Sequence, residues 1–86
     1  MKSSVKVYEL SYGVKVLLKG TIEDIRTFMK NKWNHCKYFI EMRIAITDEV
    51  EYYTYLDNDI NLMVALDSFS FIATELCSVP IEDFQG

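Results

Sequence analysis

The sequence predicts an α+β fold: an antiparallel sheet with two helices packed on one face, a two-layer sandwich of order β-β-α-β-β-(β)-α. Three observations favour it. A period of two marks the first 19 residues, a capped helical segment follows Gly20, and a long alternating segment runs from Lys37 to Leu56. The 86 residues, half of them hydrophobic, are expected to form a single domain over residues 1–86.

Two short strands are predicted at the N-terminal end. Val5 and Val7 alternate with Lys and Tyr over residues 4–10, and a similar alternation follows over residues 14–19. Gly13 lies between these segments and can adopt the positive φ of a short hairpin loop. Residues 4–19 are therefore expected to form a β-hairpin, with strands at about 4–10 and 14–19.

A helix is predicted over residues 21–34. Thr21 is a good N-cap, and Glu23 and Asp24 in the first turn favour the helix dipole. Asn34 is expected to end the helix, since Asn tolerates the left-handed conformation. The apolar stripe of this helix comprises Ile22, Ile25, Phe28, Met29 and Trp33.

Residues 37–56 are predicted to form the central β-hairpin, with a loop at residues 47–49. Its apolar face would carry Tyr38, Ile40, Met42, Ile44 and Ile46, opposite Val50, Tyr52, Thr54 and Leu56. Its other face would carry Glu41, Arg43, Glu51, Tyr53, Tyr55 and Asp57.

The remaining segment is predicted as a polar turn at residues 57–59, a strand at 60–66 and a helix at 68–78. A single long helix would place Asp67 on the same face as Ile60 and Val64, which favours the split. Pro80 would stop the helix, and the tail at residues 81–86 is expected to be loosely held. The second helical stripe would comprise Phe69, Ile72, Ala73, Leu76 and Cys77.

We expect the core to be formed mainly by side chains of the predicted helices and of the hairpin's apolar face. These are Ile22, Ile25, Phe28, Met29, Ile40, Met42, Ile44, Tyr52, Ile72 and Leu76.

Charge is distributed very unevenly along the chain. All nine Lys and Arg residues occur at or before Arg43, giving the first 43 residues a formal +5, whereas residues 44–86 carry −9. Such asymmetry informs on partners and association rates. No apolar run reaches the length of a membrane span and no signal peptide is apparent. We therefore expect a cytoplasmic protein. Residue types encoded by AT-rich codons (Phe, Tyr, Met, Ile, Asn and Lys) number 34, whereas Gly, Ala, Arg and Pro number 9, which indicates a low-GC bacterium or a virus or mobile element of one.

The residue types needed for catalysis or metal binding are sparse. His35 is the only histidine, its neighbour Cys36 would point the opposite way in a strand, and Cys77 is distant in sequence. Two cysteines are too few for a disulfide scaffold, so reduced thiols are expected. We expect no catalytic centre, no metal and no cofactor, and hence a protein that is not an enzyme.

The candidate binding surface is a set of carboxylates surrounding two tyrosines. It comprises Glu41, Asp48, Glu49, Glu51, Tyr53, Tyr55, Asp57 and Asp59. Tyrosine anchors within a charged rim are typical of protein interfaces, and the carboxylates would steer a basic partner.

Composition and charge favour a small acidic binding protein that inhibits a basic target. That target is expected to be a nucleic-acid-binding enzyme, and the protein would be of phage anti-defence or immunity-protein type. One alternative is a structural or ligand-sensing subunit that homodimerises through its sheet. A second alternative is nucleic-acid binding by the basic first half, which the overall negative charge and the scarcity of Arg disfavour.

Overall fold

The computed structural model describes residues 4–80. Its elements are β1 (Ser4–Tyr12), β2 (Lys15–Gly20), α1 (Ile22–Lys30), α2 (Trp33–Ile44), α3 (Glu49–Leu56), α4 (Asp59–Ser68) and β3 (Phe71–Pro80). The α+β class with an antiparallel sheet is confirmed. The observed order is β-β-α-α-α-α-β, so the predicted order and the predicted number of helices are wrong. The tail at residues 81–86 lies outside the described residues.

The sheet has the strand order β2-β1-β3, which makes the first strand the central one. Leu10 of β1 pairs with Leu18 of β2 on one side and with Ala73 of β3 on the other. Leu10 is fully buried, and both partners pack against the core. Each pairing contains one bulge, after Leu10 towards β2 and after Val7 towards β3.

The N-terminal hairpin and the start of the first helix form as predicted. Gly13 in the hairpin turn has a φ of +61°. Thr21 and Asp24 form a capping box: the Thr21 N–H donates to Asp24 Oδ2 at 2.9 Å, and the Asp24 N–H donates to Thr21 Oγ1 at 3.3 Å. A Cβ at Gly20 would collide with the Asp24 carboxylate, so the glycine makes room for the cap. The helix ends at Lys30, earlier than the predicted Asn34.

The predicted central hairpin is wrong, because residues 37–56 lie mostly in two helices. The inward stripe of α2 consists of Trp33, Cys36, Ile40 and Ile44, at the three- and four-residue spacing of a helix. Trp33 and Cys36 of this stripe precede Lys37, where the alternating segment begins. The helical spacing is therefore not visible within the alternating segment alone. Ala45, with a φ of +61°, ends α2. Asp48 then caps α3 by accepting the Glu51 N–H at 2.8 Å.

The predicted strand at residues 60–66 and helix at residues 68–78 are also wrong, and in fact the two element types are exchanged. Asn58 caps α4 by accepting the N–H groups of the two residues that follow Asp59. Leu62, Ala65 and Leu66 of α4 are buried, whereas Ile60, Val64 and Asp67 all face solvent. An acidic residue beside Ile60 and Val64 is therefore compatible with one helix.

β3 follows the two-residue period of a strand rather than the helical stripe proposed for it. Phe71 and Ala73 pack against the core, whereas Ile72 between them is exposed. Ser70, with a φ of +63°, makes the change of direction from α4 into this strand.

The core lies between the sheet and the helices. Its buried apolar residues are Leu10, Ile25, Met29, Trp33, Ile40, Ile46, Tyr52, Leu56, Leu62, Ala65 and Leu66. Among the residues expected there, Ile22, Phe28 and Ile44 are partly buried against it. Met42, Ile72 and Leu76 were expected to be buried and are exposed, because the segments that hold them form the other type of secondary structure.

Within the described part of the chain, no helix is both long enough and apolar enough to span a bilayer.

The helical assignment of residues 33–44 can be tested with two alanine variants. Ile40 is fully buried and Met42 is 68% exposed, although a strand would place both on one face. Ile40→Ala should lower the free energy of unfolding by ~2–5 kcal/mol. Met42→Ala should change it by less than ~0.5 kcal/mol. Urea titrations of both variants measure the difference, and equal losses would contradict the helix.

Candidate protein-binding site

Most of the residues predicted to bind a partner lie on or beside α3. Asp48 is its N-cap, Glu49, Glu51, Tyr53 and Tyr55 are within it, Asp57 is its C-cap and Asp59 begins α4. Glu41 lies on a different helix, α2. Although the predicted strand is a helix, seven of the eight predicted binding residues still lie in one short region of the chain, residues 48–59.

The two tyrosines do not share a face. Successive residues of a helix are rotated by about 100°, so Tyr53 and Tyr55 project about 200° apart, on opposite flanks of α3. Tyr52 and Leu56 are fully buried and turn α3 towards the core. Val50 lies on the opposite, outward side and is 75% exposed. The single tyrosine–carboxylate face expected from a hairpin is replaced by two flanks and an outer ridge.

Contacts within the protein occupy the flank that carries Tyr53. The Tyr53 hydroxyl donates to Glu49 Oε1, and the ammonium of Lys30 lies 5.9 Å from the centre of the tyrosine ring. The hydrogen bond to Glu49 is the main cause of a raised pKa at Tyr53, since it requires the phenolic proton. Tyr53 is consequently oriented by its neighbours.

Asp57 and Asp59 form ion pairs with side chains of α1. Lys30 Nζ lies 2.6 Å from Asp57 Oδ1, and a guanidinium nitrogen of Arg26 donates to Asp59 Oδ1. Arg26 is almost wholly buried, and its Nε also donates to the carbonyl oxygen of Leu56 at 2.7 Å. Asp57 and Asp59 thus hold the C-terminal end of α3 against α1.

The electrostatics of Arg26 favour its charged form. A hydrogen bond to Glu23 raises the pKa of the guanidinium and outweighs the opposing effect of burial, while Asp59 acts in the same direction as Glu23. A buried cation of this kind is stable only when its donors are satisfied, and here they point to three acceptors.

Tyr52 supplies a second link between α1 and α3. Its hydroxyl donates to the carbonyl oxygen of Met29 at 2.5 Å, and its ring lies 5.3 Å from that of Trp33. Burial is the main cause of a strongly raised pKa at Tyr52, with Cys36 and Tyr53 contributing in the same direction. The Tyr52 hydroxyl is therefore protonated in the folded protein at neutral pH.

The N-terminal end of α3 is acidic, and two of its carboxylates accept hydrogen bonds from α3 itself: Asp48 from the Glu51 N–H and Glu49 from the Tyr53 hydroxyl. In the described range of the chain, the carboxylates of Asp48, Glu49 and Glu51 form no ion pair with Lys or Arg. The exposed side chain of Val50 stands between them in sequence. We call Asp48, Glu49, Val50 and Glu51 the acidic ridge. The exposed Val50 lies outward between two carboxylates, with Glu49 on the flank of Tyr53 and Glu51 on the flank of Tyr55.

Ion pairs connect the basic and acidic halves of the sequence. Lys6 Nζ lies 3.5 Å from Glu75 Oε1, and Arg26 and Lys30 pair with Asp59 and Asp57. Part of the charge asymmetry is therefore cancelled inside the fold. Among the residues that the structure describes, the carboxylates of the acidic ridge form no such ion pair, so their negative charge is not cancelled in this way.

A groove of about 720 Å³ lies between the N-terminal half of β1 and the start of α1. Val5, Tyr8 and Ile22 provide its apolar walls, and Asp24 and Asp59 are among its acidic groups. Both carboxylates already accept hydrogen bonds, in the capping box and from Arg26. Lys6 also lines the groove, so its walls carry charges of both signs.

Residues suited to catalysis or metal binding are dispersed. Residues 4–80 contain no cluster of three or more His, Cys, Asp or Glu side chains that could hold a metal ion. Cys36 and Cys77 are both free, and burial raises the pKa of the Cys36 thiol against the opposing effect of Lys32. His35 is exposed on α2.

Two of the residues that build this region were not predicted from the sequence. Arg26 is three residues after Glu23, a spacing that allows a helical ion pair, but its burial depends on the distant Leu56 and Asp59. Val50 was assigned to the apolar face of a hairpin, whereas the cap at Asp48 was the local signal for a helix.

Comparison with protein-family descriptions, curated proteins and solved structures finds no match for this chain. The geometry of the described residues is therefore the basis for a functional proposal.

Alkaline pH should weaken the link at Tyr52. Its pKa is raised in the fold above the ordinary value of 10.0, so its contribution to stability is complete below pH 10 and is lost as the pH rises towards the folded value. Tyr52→Phe should cost ~1–3 kcal/mol at neutral pH, because the Met29 carbonyl loses a buried donor.

The same variant should also lose less stability than wild type above pH 10. Urea titrations at pH 7 and at increasing alkaline pH measure both effects. Tyr55→Phe, whose ring is only partly buried on the far flank of α3, is the matched control. An identical alkaline decline in wild type and Tyr52→Phe would refute the role of the buried phenol.

Proposed function

We propose that this protein is a small acidic, non-enzymatic binding module that covers a basic surface on a target protein. The observation that carries the proposal is the acidic ridge at the start of α3, where three carboxylates that pair with no Lys or Arg among residues 4–80 lie around an exposed valine. The formal net charge of −4 acts in the same direction.

The two kinds of side chain in the ridge would act at different ranges. Carboxylates at Asp48, Glu49 and Glu51 attract a positive partner over roughly a Debye length and accelerate association. Val50 provides apolar contact only once the surfaces meet, which slows dissociation. A ridge of this composition suits a partner with a basic, partly apolar depression.

A nucleic-acid-binding enzyme is the class of target that this chemistry fits best. Such enzymes present Lys and Arg to phosphates, and carboxylates can occupy the same positions. Occupying that surface would exclude the nucleic acid and inhibit the enzyme. This is the mode of action of a phage anti-defence or immunity-type inhibitor.

The ion pairs of the basic half make direct nucleic-acid binding the weaker alternative. Lys6, Arg26 and Lys30 each contact a carboxylate of the second half, which reduces their availability for phosphates. The ammonium of Lys32 lies 4.8 Å from the ring centre of Phe28. Lys15 and Lys19 on β2 and Lys37 and Arg43 on α2 remain exposed, and these cations are divided between two elements rather than concentrated on one, which weakens electrostatic binding.

Homodimerisation through the sheet, as a structural or ligand-sensing subunit, is the other alternative. Val16 and Ile72 are about half exposed on the strands, whereas Leu10, Phe71 and Ala73 pack inward. This pattern supports a two-layer arrangement with an uncovered outer sheet face.

Charge-reversal variants distinguish binding through the acidic ridge from binding that depends only on the net negative charge of the protein. Wild type, the double variant Glu49→Lys/Glu51→Lys, and Asp67→Lys are used as baits for affinity capture from the source cell. The double variant should lose a partner that wild type and Asp67→Lys retain, because Asp67 is an exposed carboxylate on α4 outside the ridge.

Kinetics with the captured partner refine the result. Glu51→Lys should slow association by about tenfold and reduce its salt dependence. Val50→Ala should mainly accelerate dissociation. If charge reversal in the ridge changes binding no more than Asp67→Lys does, the acidic ridge is not the binding surface.

A further inference from the structure

Strand β2 is shorter than its neighbour β1 and leaves part of β1 without a partner on one side. The pairing of β1 with β2 ends where Tyr8 lies opposite Gly20, and the chain then turns into α1. On its other side, β1 pairs with β3 as far as Ser4 opposite Pro80. Among residues 4–80, no strand therefore lies beside Ser4–Val7 on the side of β2. We call this part of β1 the open edge.

The groove of about 720 Å³ runs along the open edge. Three consecutive residues of β1 line it, namely Ser4, Val5 and Lys6. Side chains of consecutive strand residues point to opposite faces of a sheet, so the surface that these three share is the edge of the strand. The start of α1, with Thr21 and Ile22, forms the opposite wall. The groove therefore lies where a further strand would continue the sheet.

The backbone of the open edge is suited to pair with another extended backbone. In a strand, the N–H and C=O groups of alternate residues point to the same side, so half of the residues of the open edge direct theirs towards the groove. A helix satisfies its backbone groups internally, whereas an added strand pairs with such groups in sequence. The occupant that fits the open edge is therefore an extended segment of polypeptide.

The charges around the groove are net negative. Six charged residues line the groove or form an ion pair with a residue that does: Glu23, Asp24, Asp59, Glu75, Lys6 and Arg26. These four carboxylates and two cations carry a formal charge of −2, with the ion pairs among them included. The three carboxylates that line the groove belong to exposed residues, so their charge acts on an approaching partner. A segment that contains Lys or Arg is attracted to this site.

The two sides of an added strand would meet different surroundings. Tyr8 and Leu10 pack towards the core, so Val5 and Val7 point to the other face of the sheet. Side chains of the added strand on the core side would face the acidic start of α1, and those on the other side would lie beside the two valines. A basic residue suits the first position and an aliphatic residue suits the second.

We propose that the groove binds an extended basic segment of another protein, in which Lys or Arg alternates with aliphatic residues, and adds it to the sheet beside the open edge of β1. This site is separate from the acidic ridge, which lies at the start of α3. The proposal therefore does not depend on the ridge, and each of the two can fail alone.

The outer edges of the sheet are less suited to the same segment. β2 carries the exposed Lys15 and Lys19, which repel a basic strand. The pairing of β3 is interrupted by a bulge opposite Val7 and Tyr8, which disturbs a continuous ladder. The open edge has neither obstacle.

The first test uses an acetylated and amidated hexapeptide of alternating lysine and valine, titrated into the full chain and followed by NMR. The peptide should bind with a dissociation constant at or below about 1 mM, the weak end of measurable affinity. Chemical-shift changes should concentrate at residues 4–7 and 20–24, with cross-strand nuclear Overhauser contacts to β1. A peptide of alternating glutamate and valine should not bind. Absence of binding by the lysine peptide, or contacts confined to β3, overturns the proposal.

N-methylated peptides distinguish strand addition from simple charge attraction. Because strand residues alternate, the N–H groups that face β1 belong either to the lysines or to the valines of the peptide. Of two peptides, one N-methylated at every lysine and one at every valine, exactly one should lose binding. If both bind as well as the unmethylated peptide does, the backbone is not recognised and the proposal is wrong.

Protein variants test the electrostatic part of the site. Asp24→Asn removes a negative charge and keeps a side-chain oxygen for the capping box, so it should weaken binding of the lysine peptide roughly two- to fivefold. Lys6→Gln removes the positive charge of the groove and should strengthen binding by a similar factor. Asp67→Asn and Lys15→Gln change the net charge equally at exposed sites outside the groove and are the matched controls. Equal effects of the controls would show that binding depends on net charge alone, which overturns the site.

Amide exchange in the peptide-free protein shows whether the open edge is accessible. Alternate amides of residues 4–7, those directed away from β3, should exchange rapidly with solvent, and the lysine peptide should slow them. If these amides are already slow without peptide, the edge is covered by another part of the chain or by a second copy. Sedimentation equilibrium then separates the monomer from the dimer, and either result overturns the proposal.

Discussion

The side chain of Arg26 joins α1 to the junction of α3 and α4, and the position of both later helices depends on it. Its Nε donates to the Leu56 carbonyl, and its other nitrogens reach Glu23 and Asp59. The planar guanidinium donates from three separate nitrogens and so reaches three acceptors that lie in different directions, whereas an ammonium donates from one atom. Because α3 has only eight residues, this clamp and the hydroxyl of Tyr52 fix its direction, and with it the acidic ridge at its start.

At the first helix the local capping signal predicted the structure correctly, whereas periodicity over residues 37–78 did not. Thr21 and Asp24 correctly located a helix, since a capping box uses only neighbouring residues. Over residues 37–56, alternation and helical spacing coexist, because α2 is apolar on both its inner and outer sides. Ile40 and Met42 are equivalent in a strand but differ completely in burial in the helix. For α2, tertiary packing decides between strand and helix, because the local sequence is compatible with both.

The sequence predicted which residues lie in the candidate site, but not how their side chains are arranged. The concentration of carboxylates around residues 48–59 is visible in the sequence, and most of them lie together in the fold. Which of them are neutralised depends on contacts with α1, more than twenty positions away, so Asp57 and Asp59 could not be distinguished from Glu49 and Glu51 beforehand. The separation of Tyr53 from Tyr55 likewise follows from the helix and was inaccessible to a strand-based interpretation.

The position of β1 at the centre of the sheet has a consequence for biosynthesis. Its partner β3 lies at the other end of the described chain, with four helices between them. A ribosome adding ~5–20 residues per second needs several seconds to deliver β3 after β1. During that interval one edge of the nascent hairpin is open to other polypeptides, and its lysines lie mainly on β2, away from that edge. Slowing translation should therefore increase aggregation of newly made chains without altering the stability of the finished protein.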